Sequence, residues 1–340
     1  MTKSLAMIVA GEVGSHETRL ALCGLDLGRP VVLVDETAPN PEGSGLTAMV
    51  QAFLRKYRPP QIRAAAFVAG GPVYGAGSFA ADVPWAADGG ALAGELGIDK
   101  VTILTDAEAV AHAIAGLAPE DTIGIGGSDA GADANQLVVS IGANPSVAAL
   151  YWDGTEHRPF ASDAGHADFS PANEEELRLA LSASGAGRGA RVTTGLLLSR
   201  VGLALVHRFV LGLESPPSLP VLPGEDAAAA ILRAANAGTD RAARRAVDLY
   251  LAICASTAGN LALTLRASGG VYLTGDVVPA LRASLGGGVF PDAFGRKTPR
   301  EAALRDVPVR AVVNPRAALL GAATVAARAL RARPGGGWAS

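Results

Sequence analysis

Two glycine-bearing turns carry the first hint of chemistry in this chain. Gly11-Glu12-Val13-Gly14-Ser15-His16-Glu17 separates two apolar runs, Ser4 to Ala10 and Thr18 to Cys23, the pattern of a strand, a tight turn and a returning strand. Gly142-Ala143-Asn144-Pro145-Ser146 repeats it between the runs Gln136 to Ile141 and Val147 to Trp152. Such turns bring backbone N–H groups close to an anion, and nests of this kind commonly hold phosphate. An ordinary β-hairpin has the same signature, so both readings stand. Asp106 follows the short run Val101 to Leu104 and Thr105, at the head of a helical stretch where aspartate is a favoured N-cap. His166 lies in Gly165-His166-Ala167-Asp168-Phe169, a loop in which a histidine is either a ligand or a structural residue. There is no G-x-x-x-x-G-K-[ST] phosphate loop.

The elements that must position these residues follow from hydrophobic periodicity. Pro30 to Val34 predicts a third strand and Thr47 to Tyr57 an amphipathic helix. Ala64 to Val68 and Val101 to Leu104 predict buried strands, and Gly90 to Leu96 and Ala107 to Leu117 predict helices. A second block begins near Asp121, with strands over Thr122 to Ile125, Gln136 to Ile141 and Val147 to Trp152. Helices follow over Glu174 to Ser182 and Thr194 to Leu211. The proline-rich stretch Ser215 to Gly224 must be a loop. The longest helix is expected from Thr239, as N-cap, to Leu265, ended by Gly269-Gly270. Strands over Val271 to Thr274 and Val309 to Val313 and a helix over Arg316 to Leu330 complete an α/β chain.

Composition narrows the function. The 340 residues are 49% hydrophobic with a net charge of −3, enough for two domains with real cores. Four lysines (Lys3, Lys56, Lys100, Lys297) and scattered arginines argue against a nucleic-acid partner held by a basic face. No run reaches the roughly 18 apolar residues of a membrane span, and no export signal opens the sequence, so no membrane partner and a cytoplasmic location are expected. Cys23 and Cys254, the only cysteines, make a disulfide framework or a zinc site improbable.

In series, these motifs resemble the bacterial ATP-dependent glucokinases. Arg19-Leu20-Ala21-Leu22 follows the first turn as in that family, and Thr105-Asp106 stands at the family's Asn-Asp pair. Gly165-His166-Ala167-Asp168-Phe169 with Pro171 and Glu174-Glu175-Glu176 resembles the sugar-binding loop. Gly259-Asn260-Leu261-Ala262-Leu263 and Gly269 to Gly275 match the adenosine-side helix and strand, and Asn314-Pro315 with Leu319-Leu320-Gly321 the closing helix. The resemblance implies a two-lobed actin/hexokinase-like (ribonuclease H-like) α/β fold with a cleft between lobes. The small lobe is expected over residues 1–115 plus 315–332, the large lobe over 116–314, and a flexible tail over 333–340. It further implies ATP-dependent phosphoryl transfer to the 6-hydroxyl of a glucose-type hexose, with ATP and Mg²⁺ as cofactors and a homodimer as the assembly. Asp106 takes the place of the catalytic base. His166, Asp163, Asp82 and Thr105 fall at substrate positions. Gly11, Glu12, Gly14, Gly142 and Gly275 fall at nucleotide positions, and Glu12 is also the metal position.

The departures from the family pattern fall on functional points. Asp-x-Gly-Gly-Thr-Asn becomes Glu12-Val13-Gly14-Ser15-His16-Glu17, which places an extra carboxylate, Glu17, near bound phosphate. Two unit charges about 5 Å apart repel by roughly 3 kcal/mol at an effective dielectric of about 20. Gly-Thr-Gly-Leu-Gly becomes Gly142-Ala143-Asn144-Pro145-Ser146, losing a hydroxyl and, at the proline, a backbone donor. A glycine pair becomes Gly275-Asp276. Asp82, Asp163 and Ala190 replace Asn, Glu and Glu in the sugar pocket. Two readings therefore stay open: a hexose kinase of weakened or shifted activity, and a catalytically impaired relative that binds a sugar or metabolite as a sensor or regulator.

Overall fold

The computed structural model describes residues 7–40, 45–70, 73–74, 77–78, 87–128, 133–184, 191–212, 222 and 225–331. The chain forms two compact units, one of Met1–Leu117 with Asn314–Ser340 and one of Ala118–Val313. In the first, β1 (Met7–Val13), β2 (Glu17–Asp26) and β3 (Arg29–Pro39) form an antiparallel meander. After α1 (Leu46–Tyr57), β4 (Ile62–Ala69) pairs parallel with β1. Three two-residue strands, β5 (Val73–Tyr74), β6 (Gly77–Ser78) and β7 (Ala87–Asp88), make a small antiparallel sheet. Then come α2 (Gly89–Leu96), β8 (Lys100–Leu104), which extends the main sheet beside β4, and α3 (Asp106–Ala113).

The second unit repeats this plan. β9 (Thr122–Gly126) is followed by a meander of β10 (Gln136–Ser140), β11 (Ser146–Trp152) and β12 (His157–Ser162). Helices α4 (Glu174–Ala183), α5 (Thr194–Leu198), α6 (Arg200–Leu211), α7 (Ala227–Ala237) and α8 (Arg241–Leu265) lead to β13 (Gly270–Thr274), parallel to β10. After α9 (Val278–Leu285), α10 (Val289–Gly295) and α11 (Glu301–Arg305), β14 (Val309–Val312) joins β13 in parallel. The chain then returns to the first unit as α12 (Ala317–Arg331). The sheet orders are β3-β2-β1-β4-β8 and β12-β11-β10-β13-β14-β9. The shared order explains why strand, glycine turn and strand recur in the sequence.

The first sheet is covered on both faces, so its central strands read as continuous apolar runs. Met7, Val9 and Val13 of β1 pack with Leu46, Val50 and Phe53 of α1. Ile8 and Ala10 face the other way, toward Leu319, Ala322, Ala323 and Ala326 of α12. In the second unit α8 is long and apolar enough to cross a bilayer, but 72% of that window is buried inside the structure, which makes it a core helix.

Several expected boundaries move, each for a local reason. The helix expected over Thr194 to Leu211 is two helices. Ser199 between them is extended, pairs with Gly142 in an isolated bridge, and accepts the Gly202 N–H through its hydroxyl at 2.9 Å. The N-cap of α8 is Asp240, whose carboxylate accepts from Ala243 N at 2.9 Å, while the Thr239 hydroxyl donates back to Ala234 O at the end of α7. The left-handed residue that ends α8 is Arg266 rather than a glycine. α3 stops at Ala113 and continues as a single 3₁₀ turn, Ile114–Gly116.

Candidate functional site

The first glycine turn is shorter than its sequence suggests. β1 runs through Val13, so Gly11 is a strand residue opposite Leu20 and Phe67. A Cβ there would lie 2.6 Å from Phe67 Cδ1 and 2.9 Å from Leu20 Cδ2. Gly11 is therefore required by packing across the sheet, not by a turn. The turn itself is Gly14, Ser15 and His16, and the Gly14 N–H donates to Glu17 O at 2.9 Å. Asn40 clasps its tip: Nδ2 donates to Gly14 O at 2.8 Å, Oδ1 accepts from the Thr18 hydroxyl at 2.7 Å, and N–H donates to His16 O at 2.8 Å. Nothing in the sequence pattern singles out Asn40.

Glu12 faces Arg19 across the hairpin. Burial raises its carboxyl above the usual range; Arg19 opposes that rise and Glu17 adds to it. Arg19 is shared, because its Nε lies 3.1 Å from Asp35 Oδ2 as a charge pair without hydrogen-bond alignment, and Arg316 reaches Asp35 Oδ1 at 3.1 Å. A single carboxylate suits Mg²⁺, which keeps several waters and takes one or two carboxylates alongside a substrate's phosphates. Among the described residues no group of three His, Cys, Asp or Glu could form an all-protein cage. The donor set thus fits Mg²⁺ held by Glu12 together with phosphate.

Thr105 and Asp106 lie where β8 passes into α3. The cap is Thr105, whose hydroxyl oxygen accepts the Glu108 N–H at 3.3 Å. The capping role open to Asp106 in the sequence therefore belongs to its neighbour. Asp106 is the first helical residue and partly accessible, placed where the positive end of the helix dipole favours a carboxylate. Glu108, which the sequence did not single out, is pushed upward in pKa by burial.

The candidate sugar loop is a 3₁₀ turn, Asp163–His166, started by Ser162, whose hydroxyl accepts the Ala164 N–H at 3.2 Å. Two backbone bonds pin it from the next segment: Phe169 N to Val192 O and Thr194 N to Ala167 O, each 2.9 Å. Asp168 pairs with Arg191. Asp163 and His166 are both exposed on this turn. A Cβ at Gly195 would lie 2.9 Å from Gly165 O and 3.8 Å from Pro145 Cβ, so the sugar loop and the second glycine turn are neighbours. Asp82 and Ala190 lie outside the described residues.

The second turn holds an unanticipated occupant. Gly142 and Gly275 lie just beyond the ends of the adjacent parallel strands β10 and β13, both with positive φ (+114° and +116°), a backbone region that favours glycine. Their loops nearly touch: a Cβ at Gly275 would lie 1.9 Å from Ile141 O, and one at Gly142 1.9 Å from Asp276 Oδ1. The Ala143 N–H donates to that same oxygen at 2.7 Å. Arg200, at the start of α6, donates to Asp276 Oδ2 at 2.6 Å and grips Asp226 through Nε and Nη2 at 2.7 and 2.6 Å. The Arg200 guanidinium holds Asp226 below the usual carboxylate range. One N–H and one guanidinium thus form an anion-binding pair, and the anion on it is the protein's own carboxylate. The replacement of a glycine at Asp276 was the available signal; Arg200 and Asp226 had none.

The structure therefore brings together Glu12 with Gly14, Thr105 with Asp106, Gly142 with Gly275, and the Asp163–His166 turn with the second glycine turn. Comparison with known proteins bears on the family and the fold. The family model described as Glucokinase matches residues 9–329. A glucokinase of Trichormus variabilis is 29% identical over 341 residues, covering 95% of this chain and 100% of that protein. Among solved structures, a glucokinase from Balamuthia mandrillaris in complex with glucose superposes with a TM-score of 0.80 at 20% identity, covering 96% of this chain and 94% of that one. A ROK family glucokinase from Streptomyces griseus in complex with glucose and AMPPNP gives 0.65 at 17% identity, covering 95% and 100%. The fold is the actin/hexokinase-like α/β fold of these sugar kinases, and with a match running from β1 to α12 the chain belongs to the glucokinase family.

Proposed function

We propose that this protein phosphorylates the 6-hydroxyl of a glucose-type hexose with ATP as donor. The observation that carries the reading is the family match through residues 9–329, which spans every candidate site residue. In this reading His166 and Asp163, on their pinned turn, bind hexose hydroxyls, and Thr105 contributes a further polar contact. Asp106, the first residue of α3, accepts the proton of the attacking hydroxyl. Glu12 is the residue that would hold Mg²⁺, and the ion would neutralise charge on the donor's phosphates.

The test is a coupled assay over several hexoses with Mg-ATP, comparing the wild type with Asp106→Asn. Loss of a general base lowers turnover by about 10²- to 10⁴-fold, so kcat falls by that order while the KM for hexose stays within about threefold. Equal turnover by the two proteins would remove the assignment of Asp106. Turnover confined to a sugar lacking a 6-hydroxyl would remove the reading as a whole.

A further inference from the structure

The second glycine turn does not offer a donor phosphate a vacant cradle. We propose that Asp276 is an internal occupant of the donor-phosphate turn, one that a phosphate must displace, and that it thereby sets the protein's affinity for its phosphoryl donor. The inference rests on the kinase reading, which makes this turn a phosphate site, and goes beyond it by naming the residue that governs access.

Three observations converge. First, the carboxylate occupies the bare face of Gly142: the 1.9 Å between Oδ1 and a Cβ built on that glycine leaves no room for a phosphate oxygen beside it. Second, Asp276 consumes the local donors, taking the Ala143 N–H and one arm of Arg200, while Pro145 further along the turn has no N–H to give. Third, Asp276 stands one residue before Val277, the N-cap of α9, and that cap has no side-chain hydrogen bond. The Asp276 side chain turns away from that helix start and reaches across to the neighbouring loop.

The occupancy is reversible by its own energetics. The side chains of Asp276 and Arg200 are 44% and 27% exposed, and ion pairs this wet contribute little net stability. Arg200 keeps its two-pronged hold on Asp226, so it stays in place when Asp276 swings away and is then positioned to meet a phosphate oxygen. No covalent step is involved. One anion exchanges for another on the same N–H and the same guanidinium.

Isothermal titration with Mg-ATP and with inorganic tripolyphosphate tests this on the wild type, Asp276→Gly and Asp276→Asn. Asp276→Gly should bind both about tenfold or more tightly than wild type. Asp276→Asn, which can still accept from Ala143 but carries no charge, should fall between them. In steady state the Asp276→Gly KM for ATP should drop by a larger factor than kcat changes, a split that a merely structural staple would not produce. Adding Arg200→Gln to Asp276→Gly should return affinity to the wild-type level or below. Thermal melting and glucose titration run alongside on every protein. If folded Asp276→Gly and Asp276→Asn bind both polyanions within twofold of wild type, the proposal is overturned. Intact glucose binding in that case leaves the kinase reading standing; loss of glucose binding in the wild type as well removes both.

Discussion

Replacing Gly321 by alanine should damage the first unit and its candidate catalytic residue together. Gly321 is buried on α12, and a Cβ there would lie 1.7 Å from Ala109 O and 2.4 Å from Ala109 C on α3. Non-bonded heavy atoms settle at roughly 3.5 Å, so the two helices must separate by more than about 1 Å. The surrounding surface is Ala109, Leu319, Ala322, Ala323 and Ala326, all 0% exposed, and none of them is a long side chain that could swing aside. An overlap this deep with backbone falls at the upper end of the overpacking range, about 2–3 kcal/mol, against a gain of about 1 kcal/mol from the better helix propensity of alanine. A net loss of about 1–2 kcal/mol lowers Tm by roughly 1–3 °C in a chain of this size. α3 also carries Asp106, one turn before Ala109, and a displacement near 1 Å can reduce turnover about a hundredfold. Melting and kcat should therefore fall together. Gly94→Ala is the control. It sits on the exposed face of α2, its Cβ would meet nothing within 4 Å, and it should stabilise by about 0.5–1 kcal/mol. A Gly321→Ala protein that melts at or above the wild-type temperature would refute the packing argument. A lowered Tm with unchanged kcat would refute the claim that α12 positions Asp106.

Two further outcomes follow from buried titratable groups. Burial, with Arg328 donating to Nδ1 at 3.1 Å, pushes the His112 imidazole down to about 4. The unfolded chain takes up that proton near pH 6.5 and the folded one only near 4, so the stability difference is absent above pH 6.5 and grows as pH falls through this window. Urea unfolding at pH 7 and pH 5 should show a loss of about 1–2 kcal/mol in wild type that is missing in His112→Gln; equal losses in both would count against the assignment. Burial and the nearby Asp35 carboxylate push the Cys23 thiol up to about 12, burial also raises Cys254, and both are 0% exposed. Neither thiol should react with a disulfide reagent in the native protein, and both should react on unfolding; a rapid native reaction at either would show that its sheet or helix opens readily.

The elements that could be read from sequence are those whose local signals agree with their packing. β10 and β13 are short apolar runs that are fully buried, and α8 is long and periodic enough that few alternatives compete. What escaped was decided by contacts distant in sequence. Thr194 to Leu211 keeps helical spacing throughout, and the break at Ser199 comes from its bridge to Gly142, more than fifty residues earlier. A glycine also reads the same whether it serves a turn or a close approach. Gly11 and Gly14 are three residues apart, yet the first exists for Phe67 and Leu20 and only the second lies in the turn. The shift of the cap from Asp106 to Thr105 is one residue, smaller than any periodicity resolves.

The same limitation governs the phosphate turns and alters what their substitutions mean. Taken singly, Ala143, Pro145 and Asp276 are separate departures, each subtracting a donor or adding a charge. In the structure they form one arrangement: the turn that lost its hydroxyl has its N–H satisfied by the carboxylate that replaced a glycine on the adjacent loop. The first turn is likewise satisfied from within, Gly14 donating to Glu17 O and Asn40 holding the tip. Gly142 acquires a second reason to be glycine, because any Cβ would strike Asp276 whether or not phosphate ever binds. Its presence in the sequence is therefore no independent sign of a phosphate site. Restoring a glycine at 276 relieves that constraint and exposes Ala143 N–H and Arg200 at once, so a variant carrying Asp276→Gly together with Gly142→Ala separates the two reasons. With the Asp276 side chain gone, a Cβ at position 142 still meets Val277 Cγ1 at 3.2 Å and the strain of a φ of +114°, so the double variant should be less destabilised than Gly142→Ala alone without reaching the stability of Asp276→Gly.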